Sequence, residues 1–175
     1  SFCSQQKFWR RSNRTRRPEA VVAETEMLYR RYGVNVILIS DEYPTADAAR
    51  WEEILDRMIA LDLQIYLLME TRAADIVRDE KILWKYRKAG IVHVYVGLEA
   101  TDQATLDLIN KESTVEEGKR ALQALDQHDM VSETSFVLGF PHETPEHVKE
   151  TLAIAREYNP DFAHFLAIAP WPYAA

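Results

Sequence analysis

Acidic side chains recur where short apolar segments of this sequence end. Asp41 and Glu42 follow the first such segment, Glu70 follows the second, Glu99 closes the third, and residues 139–143 (GFPHE) follow the fourth. A single carboxylate at such a position is often a helix cap. Carboxylates after several successive segments are harder to explain as caps, because caps would have to fall at these positions repeatedly by chance. In sheets of parallel strands, functional groups gather just past the carboxyl ends of the strands. The recurrence predicts a polar functional site at one edge of a sheet.

The third apolar segment, residues 91–97, carries a second polar signal. It alternates strictly, so that its valines share one face and its polar or small residues share the other. The second set comprises His93, Tyr95, Gly97 and Glu99. Glu133, Ser135 and Gly139 form a similar stripe in the next segment, which indicates a polar interior.

Several other side chains have a structural interpretation. Thr45, Thr144 and Pro145 have the residue types that start helices and are interpreted as such. His93 taken alone is typical of a hydrogen-bonded histidine in a protein core. Three other histidines show no mutual metal-ligand spacing and are assigned to the surface or to packing, namely His128, His147 and His164.

Cysteine chemistry is restricted because Cys3 is the single cysteine. One thiol excludes an internal disulfide and a complete cysteine-ligated metal site within these residues. The sequence also contains no Walker phosphate loop, no G-x-G-x-x-G and no G-x-S-x-G string, so phosphate-cradling and serine-hydrolase functions have no support. Any metal function needs residues outside the chain.

From residue 18 onward, short apolar segments alternate with amphipathic stretches, which predicts βα units around a parallel sheet. Pro18 and Gly33 are typical of the start and end of a helix. The predicted strands are 35–40, 64–69, 91–97, 132–138 and 162–168. The predicted helices are 18–32, 46–61, 101–110, 114–128 and 144–157, with further helical structure across 75–89.

No linker rich in Gly, Pro or Ser interrupts these elements, so residues 1–175 are predicted to form one domain. The periodicity fits either a doubly wound sheet or part of a (β/α) barrel. Because the chain opens at Ser1 without a preceding element, we expect an incomplete domain, truncated at its N-terminus, whose upstream residues add another strand.

Charge is distributed unevenly along the chain. The first 17 residues carry six basic and no acidic side chains, whereas the remainder carries 15 basic against 28 acidic residues. The basic arm is typical of a solvated or nucleic-acid-binding segment, but the acidic remainder makes a general nucleic-acid-binding protein unexpected. No apolar run approaches the roughly 20 residues of a membrane span, and no secretory signal is evident, so a cytoplasmic location is expected.

The start of the chain resembles the end of the C-x-x-x-C-x-x-C loop of radical S-adenosylmethionine (SAM) enzymes, through Ser1-Phe2-Cys3-Ser4-Gln5 and Lys7-Phe8-Trp9-Arg10. Along its whole length the chain is similar to the cobalamin-dependent group of that superfamily that contains the anaerobic magnesium-protoporphyrin IX monomethyl ester cyclases. The further motifs are Asp41-Glu42-x-Pro44-Thr45, Thr71-Arg72, Asp75-Ile76-x-Arg78-Asp79-Glu80, Arg87-Lys88-Ala89-Gly90, Val92-His93-Val94, Asn110-Lys111-Glu112 and Pro170-Trp171-Pro172.

This resemblance implies a partial (β/α) barrel of the radical SAM type, truncated inside the cluster-binding loop. Cys3 would be the third thiolate ligand of a [4Fe–4S] cluster, with the other two cysteines upstream of Ser1. SAM would bind to the open iron, and a cobalamin-binding domain would precede the chain.

The resemblance also assigns cofactor-binding residues. Asp41 and Glu42 would lie near the amino group of the methionine moiety, and Glu99 would lie near the ribose or methionine moiety. Arg72 would pair with a carboxylate, either that of SAM or a porphyrin propionate. Gly139 would let the backbone approach the adenine. No catalytic residue is assigned.

The reaction implied is anaerobic oxidative cyclisation of magnesium-protoporphyrin IX monomethyl ester with an external electron donor. Trp9, Trp171 and Tyr173 would face the macrocycle or pack within the barrel. Residues 139–144 instead resemble the Gly-x-Pro-Gly-Glu-Thr string of other radical SAM proteins, which keeps a methyltransferase or methylthiotransferase as an alternative. An alternative of another class is a non-catalytic barrel that binds RNA or another anionic partner through the basic arm.

Overall fold

The computed structural model describes residues 10, 12 and 14–169 of the chain. Its five strands are β1 (Val36–Leu38), β2 (Tyr66–Thr71), β3 (Ile91–Glu99), β4 (Val131–Leu138) and β5 (Phe162–Ala167). The α-helices are α1 (Pro18–Tyr32), α2 (Ala48–Leu61), α3 (Ala73–Arg78), α4 (Leu83–Lys88), α5 (Gln103–Leu108), α6 (Val115–Gln127) and α7 (Pro145–Tyr158). One 3₁₀ turn, Glu80–Ile82, lies between α3 and α4.

The strands form one sheet in the order β1-β2-β3-β4-β5, and every neighbouring pair is parallel. A doubly wound sheet reverses its strand order at a switch point, whereas a barrel adds each strand beside the previous one. The sequential order is therefore that of a half-barrel. The prediction of a partial (β/α) barrel is confirmed.

One face of the sheet packs against the helices. Val94 and Val96 of β3 are 0% exposed and belong to one buried cluster with helix residues such as Leu125 of α6. Burying an aliphatic side chain of this size contributes about 1.5–3 kcal/mol, so this face anchors the strands. The opposite face of β3, which we call the inner face, carries the partly buried residues His93 and Tyr95.

Most predicted element bounds are confirmed within a few residues. The helices predicted across 75–89 are α3, which ends at Arg78, and α4, which begins after the 3₁₀ turn. β2 begins two residues later than predicted and runs to Thr71, which places Thr71 inside the sheet.

Of the residues predicted to start helices, Thr144 and Pro145 are confirmed, whereas the prediction for Thr45 is wrong. Thr144 caps α7 by accepting a hydrogen bond from the backbone N of His147, and Pro145 is the first helical residue. The cap of α2, however, is Asp47, whose side chain accepts from the backbone N of Arg50. Thr45 is 0% exposed and has another role.

No helix in the described part of the chain has the length and apolar character needed to cross a bilayer.

Candidate functional site

Polar groups meet at the carboxyl ends of the strands, an edge that we call the rim. Burial raises the pKa of Glu70 at the end of β2, and the negative charges of Glu42 and Asp41 raise it further. The three carboxylates therefore lie close enough at the rim to interact electrostatically. This arrangement favours the binding of a cationic group beside Glu70, because the charged form of Glu70 is disfavoured by the charges of Glu42 and Asp41.

A cation lies at the same rim. The guanidinium carbon of Arg72 is 4.4 Å from the centre of the Tyr43 ring, a cation–π contact. Arg72 precedes α3, and its backbone is extended. Positive and negative groups thus occupy the rim together.

The loop that carries Asp41 and Glu42 is fixed by hydrogen bonds to a buried carboxylate. Asp75 of α3 accepts hydrogen bonds from the Thr45 hydroxyl and, at 3.4 Å, from the Tyr43 hydroxyl. The Thr45 and Thr71 hydroxyl oxygens lie 2.5 Å apart. Arg78 donates to the backbone oxygen of Thr45 at 3.1 Å. Thr45 is therefore a buried link between the loop and α3, and its assignment as a helix cap is wrong.

A second buried carboxylate extends this network towards the helices. Asp79 accepts from Nε of Arg78 at 2.7 Å and from the Tyr86 hydroxyl at 2.7 Å. The hydrogen bond to Asp79 raises the pKa of Arg78. Burial raises the pKa of the Tyr86 hydroxyl, and its hydrogen bond to Asp79 adds to this effect. The Asp75-x-x-Arg78-Asp79 motif therefore supports the rim from beneath.

Glu99 ends β3 in an unusual backbone conformation, with φ of 68°. This left-handed region is strained for a non-glycine residue, and such residues concentrate at functional sites. Its Oε1 atom lies 3.0 Å from Nζ of Lys111, and both side chains are mostly buried. A Cβ atom at Gly97 would lie 2.8 Å from Oε1 of Glu99, so a larger residue there would displace the carboxylate from this position.

Lys111 is a site residue that sequence reasoning missed. It appeared only as the centre of the Asn110-Lys111-Glu112 string, without a role. Its partner Glu99 is 12 positions away, across α5, so local spacing does not reveal the contact.

The turn after β4 is closed by its own carboxylate. Glu143 accepts from the backbone N of Gly139 and, at 3.0 Å, from the backbone N of Phe140. Gly139 has φ of 97°, a conformation that favours glycine. His142 lies 3.1 Å from the Thr105 hydroxyl and stacks on Phe140. Glu143 is therefore a turn residue, and Gly139 has a conformational reason to be glycine.

The polar stripes predicted for β3 and β4 lie side by side on the inner face. Tyr95 donates a hydrogen bond to Ser135 Oγ at 2.6 Å. Burial raises the pKa of Tyr95, and the charges of Glu99, Glu133 and Glu70 raise it further, which places this hydroxyl among carboxylates. The inner face and the rim therefore form one continuous polar surface.

Two histidines on that face contact Glu133, and one of the two assignments is corrected. Nε2 of His93 lies 2.6 Å from Oε2 of Glu133, but its buried Nδ1 has no hydrogen-bond partner among the described residues. His93 is therefore not a fully hydrogen-bonded core histidine. His164 is exposed, as predicted, and its Nε2 also lies 2.5 Å from Oε1 of Glu133.

Cys3, Trp9, Trp171 and Tyr173 lie outside the described residues, so the structure does not place these predicted contacts. Within residues 14–169 no group of three or more His, Cys, Asp or Glu side chains could hold a metal ion.

The donor set of the rim fits a zwitterionic ligand. Asp41, Glu42 and Glu70 offer negative charge to an amino or sulfonium group, and Arg72 offers bidentate donors to a carboxylate. SAM carries both of these charges. The residues present therefore fit this cofactor, while Cys3, the predicted cluster ligand, lies outside the described residues.

Comparison with known proteins identifies the chain's relatives. A family model described as the radical SAM superfamily matches residues 1–155. The chain is 43% identical, over 99% of its length, to the anaerobic magnesium-protoporphyrin IX monomethyl ester cyclase of Rubrivivax gelatinosus, and 41% identical over 99% to that of Cereibacter sphaeroides. It spans only 31% and 28% of these relatives, less than a third of each.

A solved structure shares the fold. The radical SAM methyltransferase TsrM from Kitasatospora setae, with cobalamin and a [4Fe–4S] cluster bound, superposes with a TM-score of 0.81 at 18% identity. The match covers 91% of this chain and 30% of that one.

Proposed function

Since this chain belongs to the radical SAM superfamily, we propose that the protein containing it closes a ring oxidatively on magnesium-protoporphyrin IX monomethyl ester. The observation that carries this proposal is the likeness to two curated cyclases along nearly the whole chain. Because the chain spans less than a third of those relatives, the substrate is inferred from this part alone.

Two cofactors follow from the family. Cys3 and two cysteines upstream of Ser1 would hold a [4Fe–4S] cluster, since thiolates are the usual ligands of such clusters. SAM bound at the rim would supply the carbon radical that removes a hydrogen atom from the substrate. A cobalamin domain upstream of the chain is part of the proposal.

The rim residues would orient SAM. We assign Asp41 and Glu42 to its amino group, because they extend beyond a loop that the buried Asp75 holds in place. We assign Glu99 to the ribose or methionine moiety, because its strained backbone points to a functional constraint. Arg72 would bind a carboxylate of SAM or of the porphyrin.

The inner face would receive the substrate. Gly139 would let the backbone approach the adenine. The partners implied are a small magnesium porphyrin and an external electron donor, in the cytoplasm, with no nucleic acid.

The test is anaerobic formation of 5′-deoxyadenosine by the full-length protein, reconstituted with iron, sulfide and cobalamin. We expect release that magnesium-protoporphyrin monomethyl ester stimulates, and no release from a Cys3→Ser variant. Metal-free protoporphyrin monomethyl ester is the matched control for the macrocycle. Equal release of 5′-deoxyadenosine with and without the porphyrin would contradict the cyclase proposal, while radical SAM chemistry would still be supported.

A radical SAM methyltransferase or methylthiotransferase is the second candidate, favoured by the Gly-Phe-Pro-His-Glu-Thr sequence of residues 139–144. Methyl transfer from labelled SAM to a non-porphyrin acceptor, without porphyrin turnover, would favour it. A non-catalytic barrel predicts no 5′-deoxyadenosine from a protein with an intact cluster.

A further inference from the structure

Three titratable side chains form a cluster on the inner face, below the rim. Glu133 of β4 lies between His93 of β3 and His164 of β5, with carboxylate-to-Nε2 distances of 2.6 Å and 2.5 Å. Glu133 is opposite Tyr95 in the β3–β4 register, four residues before β3 ends at Glu99. The rim assignments above make no use of this cluster.

The two imidazoles differ in which nitrogen they present. Nε2 of each ring faces the carboxylate, and since an ionised carboxylate only accepts hydrogen bonds, we assign the N–H of each ring to Nε2. Nδ1 of His93 is buried and unpartnered within the described residues, so it has no group with which to exchange a proton. The His164 side chain is 49% exposed, and no hydrogen bond within residues 14–169 occupies its Nδ1. Of these two rings, His164 is the one that presents an open nitrogen.

A metal site does not explain the cluster. No described group of His, Cys, Asp and Glu residues has the arrangement that would hold a metal ion. Each Nε2 instead faces an oxygen of the same carboxylate. A histidine whose one nitrogen is fixed by a carboxylate and whose other nitrogen is open is the arrangement of a general base with its orienting group.

We propose that His164 accepts a proton from the bound substrate through Nδ1, with Glu133 as the residue that orients its ring and His93 as the residue that positions Glu133. This proposal rests on the proposed function, because it names the group that completes the oxidation of the porphyrin ester. The ligand class is a carbon acid formed on the ester side chain.

The proton balance of a dehydrogenation step needs a proton acceptor. In such a two-electron step the substrate would lose one hydrogen atom to the SAM-derived radical, which would leave an unpaired electron on carbon. The unpaired electron then passes to a one-electron acceptor of the iron–sulfur class. The adjacent C–H bond breaks, its electron pair becomes the new π bond, and its proton moves to Nδ1 of His164. The Glu133 carboxylate stabilises the resulting imidazolium.

The test compares His164→Gln with His147→Gln in the reconstituted full-length protein. His147 is an exposed histidine of α7, outside the site, and serves as the matched control. We expect His164→Gln to lower cyclised product by roughly 10²-fold, the contribution of a general base, and to lower 5′-deoxyadenosine release far less. The ratio of 5′-deoxyadenosine to product therefore rises, and imidazole added to His164→Gly restores product.

A separate readout does not depend on turnover. Equilibrium binding of magnesium-protoporphyrin monomethyl ester, followed by its Soret band, should keep the same Kd in His164→Gln, since proton transfer is not binding. An unchanged ratio of 5′-deoxyadenosine to cyclised product, or loss of product that imidazole does not restore, would overturn the proposal. If the unsubstituted protein neither binds the porphyrin nor responds to it, the proposed function fails instead, and the assignment of His164 fails with it.

Discussion

Two turns at the rim are built in different ways. The loop after β1, which carries Asp41 and Glu42, depends on the buried carboxylate of Asp75, which its residues contact across 30 and 32 positions of the chain. The turn after β4 depends on Glu143, which accepts from backbone nitrogens three and four positions away. The first turn is supported by tertiary contacts and the second by local ones.

This difference predicts which substitutions disturb distant parts of the structure and which disturb only the turn that contains them. A change in the network below the β1 loop should disturb the rim and the helices together, because both share the same buried charges. A change in the β4 turn should affect little beyond residues 139–144. Four substitutions, from the largest expected effect to the smallest, test this contrast.

Asp79→Ala should destabilise the protein most. The Asp79 side chain is 5% exposed between Arg78 and Tyr86, and its loss leaves both donors without their acceptor. Removing one partner of a buried charged pair costs about 3–5 kcal/mol, and the partial exposure of Arg78 places the expected loss near the lower bound. The free energy of unfolding in urea measures it, with Asp126→Ala at the exposed end of α6 as the control. A loss below about 1 kcal/mol would contradict the proposed support.

Thr45→Val should cost less but act at the rim. The valine keeps the shape of the side chain and removes the hydroxyl that links Asp75 and Thr71. Leaving a buried acceptor unsatisfied costs about 1–3 kcal/mol. Amide hydrogen exchange should quicken across residues 41–45, with SAM affinity reduced in parallel. Unchanged exchange there would show that Thr45 does not hold the loop.

Glu143→Ala should have a local effect of about 1 kcal/mol, the net worth of a typical hydrogen bond. The backbone nitrogen of Gly139, an exposed residue, loses its acceptor but can reach water, whereas Phe140 is buried and contributes most of the cost. Faster hydrogen exchange should be confined to residues 139–144. Faster hydrogen exchange at residues 41–45 as well would contradict the proposed difference between the two turns.

Glu70→Gln should stabilise the protein slightly at neutral pH, by less than about 1 kcal/mol for this partly exposed group. Burial, together with the charges of Glu42 and Asp41, raises the pKa of Glu70 in the folded state. The folded state therefore holds this proton more tightly than the unfolded chain, and that contribution is lost as pH rises through the folded pKa. The gain from glutamine should vanish below about pH 4, where the glutamate is protonated in both states. Thermal unfolding from pH 4 to 8 measures it, and a gain that does not depend on pH would contradict the cause given.

Local sequence patterns predicted much of the fold and part of the site. The alternation in β3 predicted the inner face, and the Thr144-Pro145 start of α7 was confirmed because both signals act within one helical turn. Contacts between distant residues were not predicted. Thr45 bonds Asp75 at a separation of 30 positions, and His164 meets Glu133 at a separation of 31. Such pairs depend on strand register and helix placement, which no local pattern encodes.

The break between α3 and α4 has the same cause. The sequence predicted helices across 75–89 without the position of a break, and the structure places that break at Asp79, which leaves the helix at φ of −92° and ψ of 8°. Its carboxylate bonds Arg78 and Tyr86 at this position. A tertiary hydrogen-bond network thus overrides local helix propensity.

The most direct test of the account follows one hydrogen atom. Magnesium-protoporphyrin IX monomethyl ester deuterated in its ester side chain would be incubated anaerobically with the reconstituted full-length protein and SAM, and the 5′-deoxyadenosine analysed by mass spectrometry. We predict 5′-deoxyadenosine that carries deuterium. Formation of cyclised product together with unlabelled 5′-deoxyadenosine would contradict it.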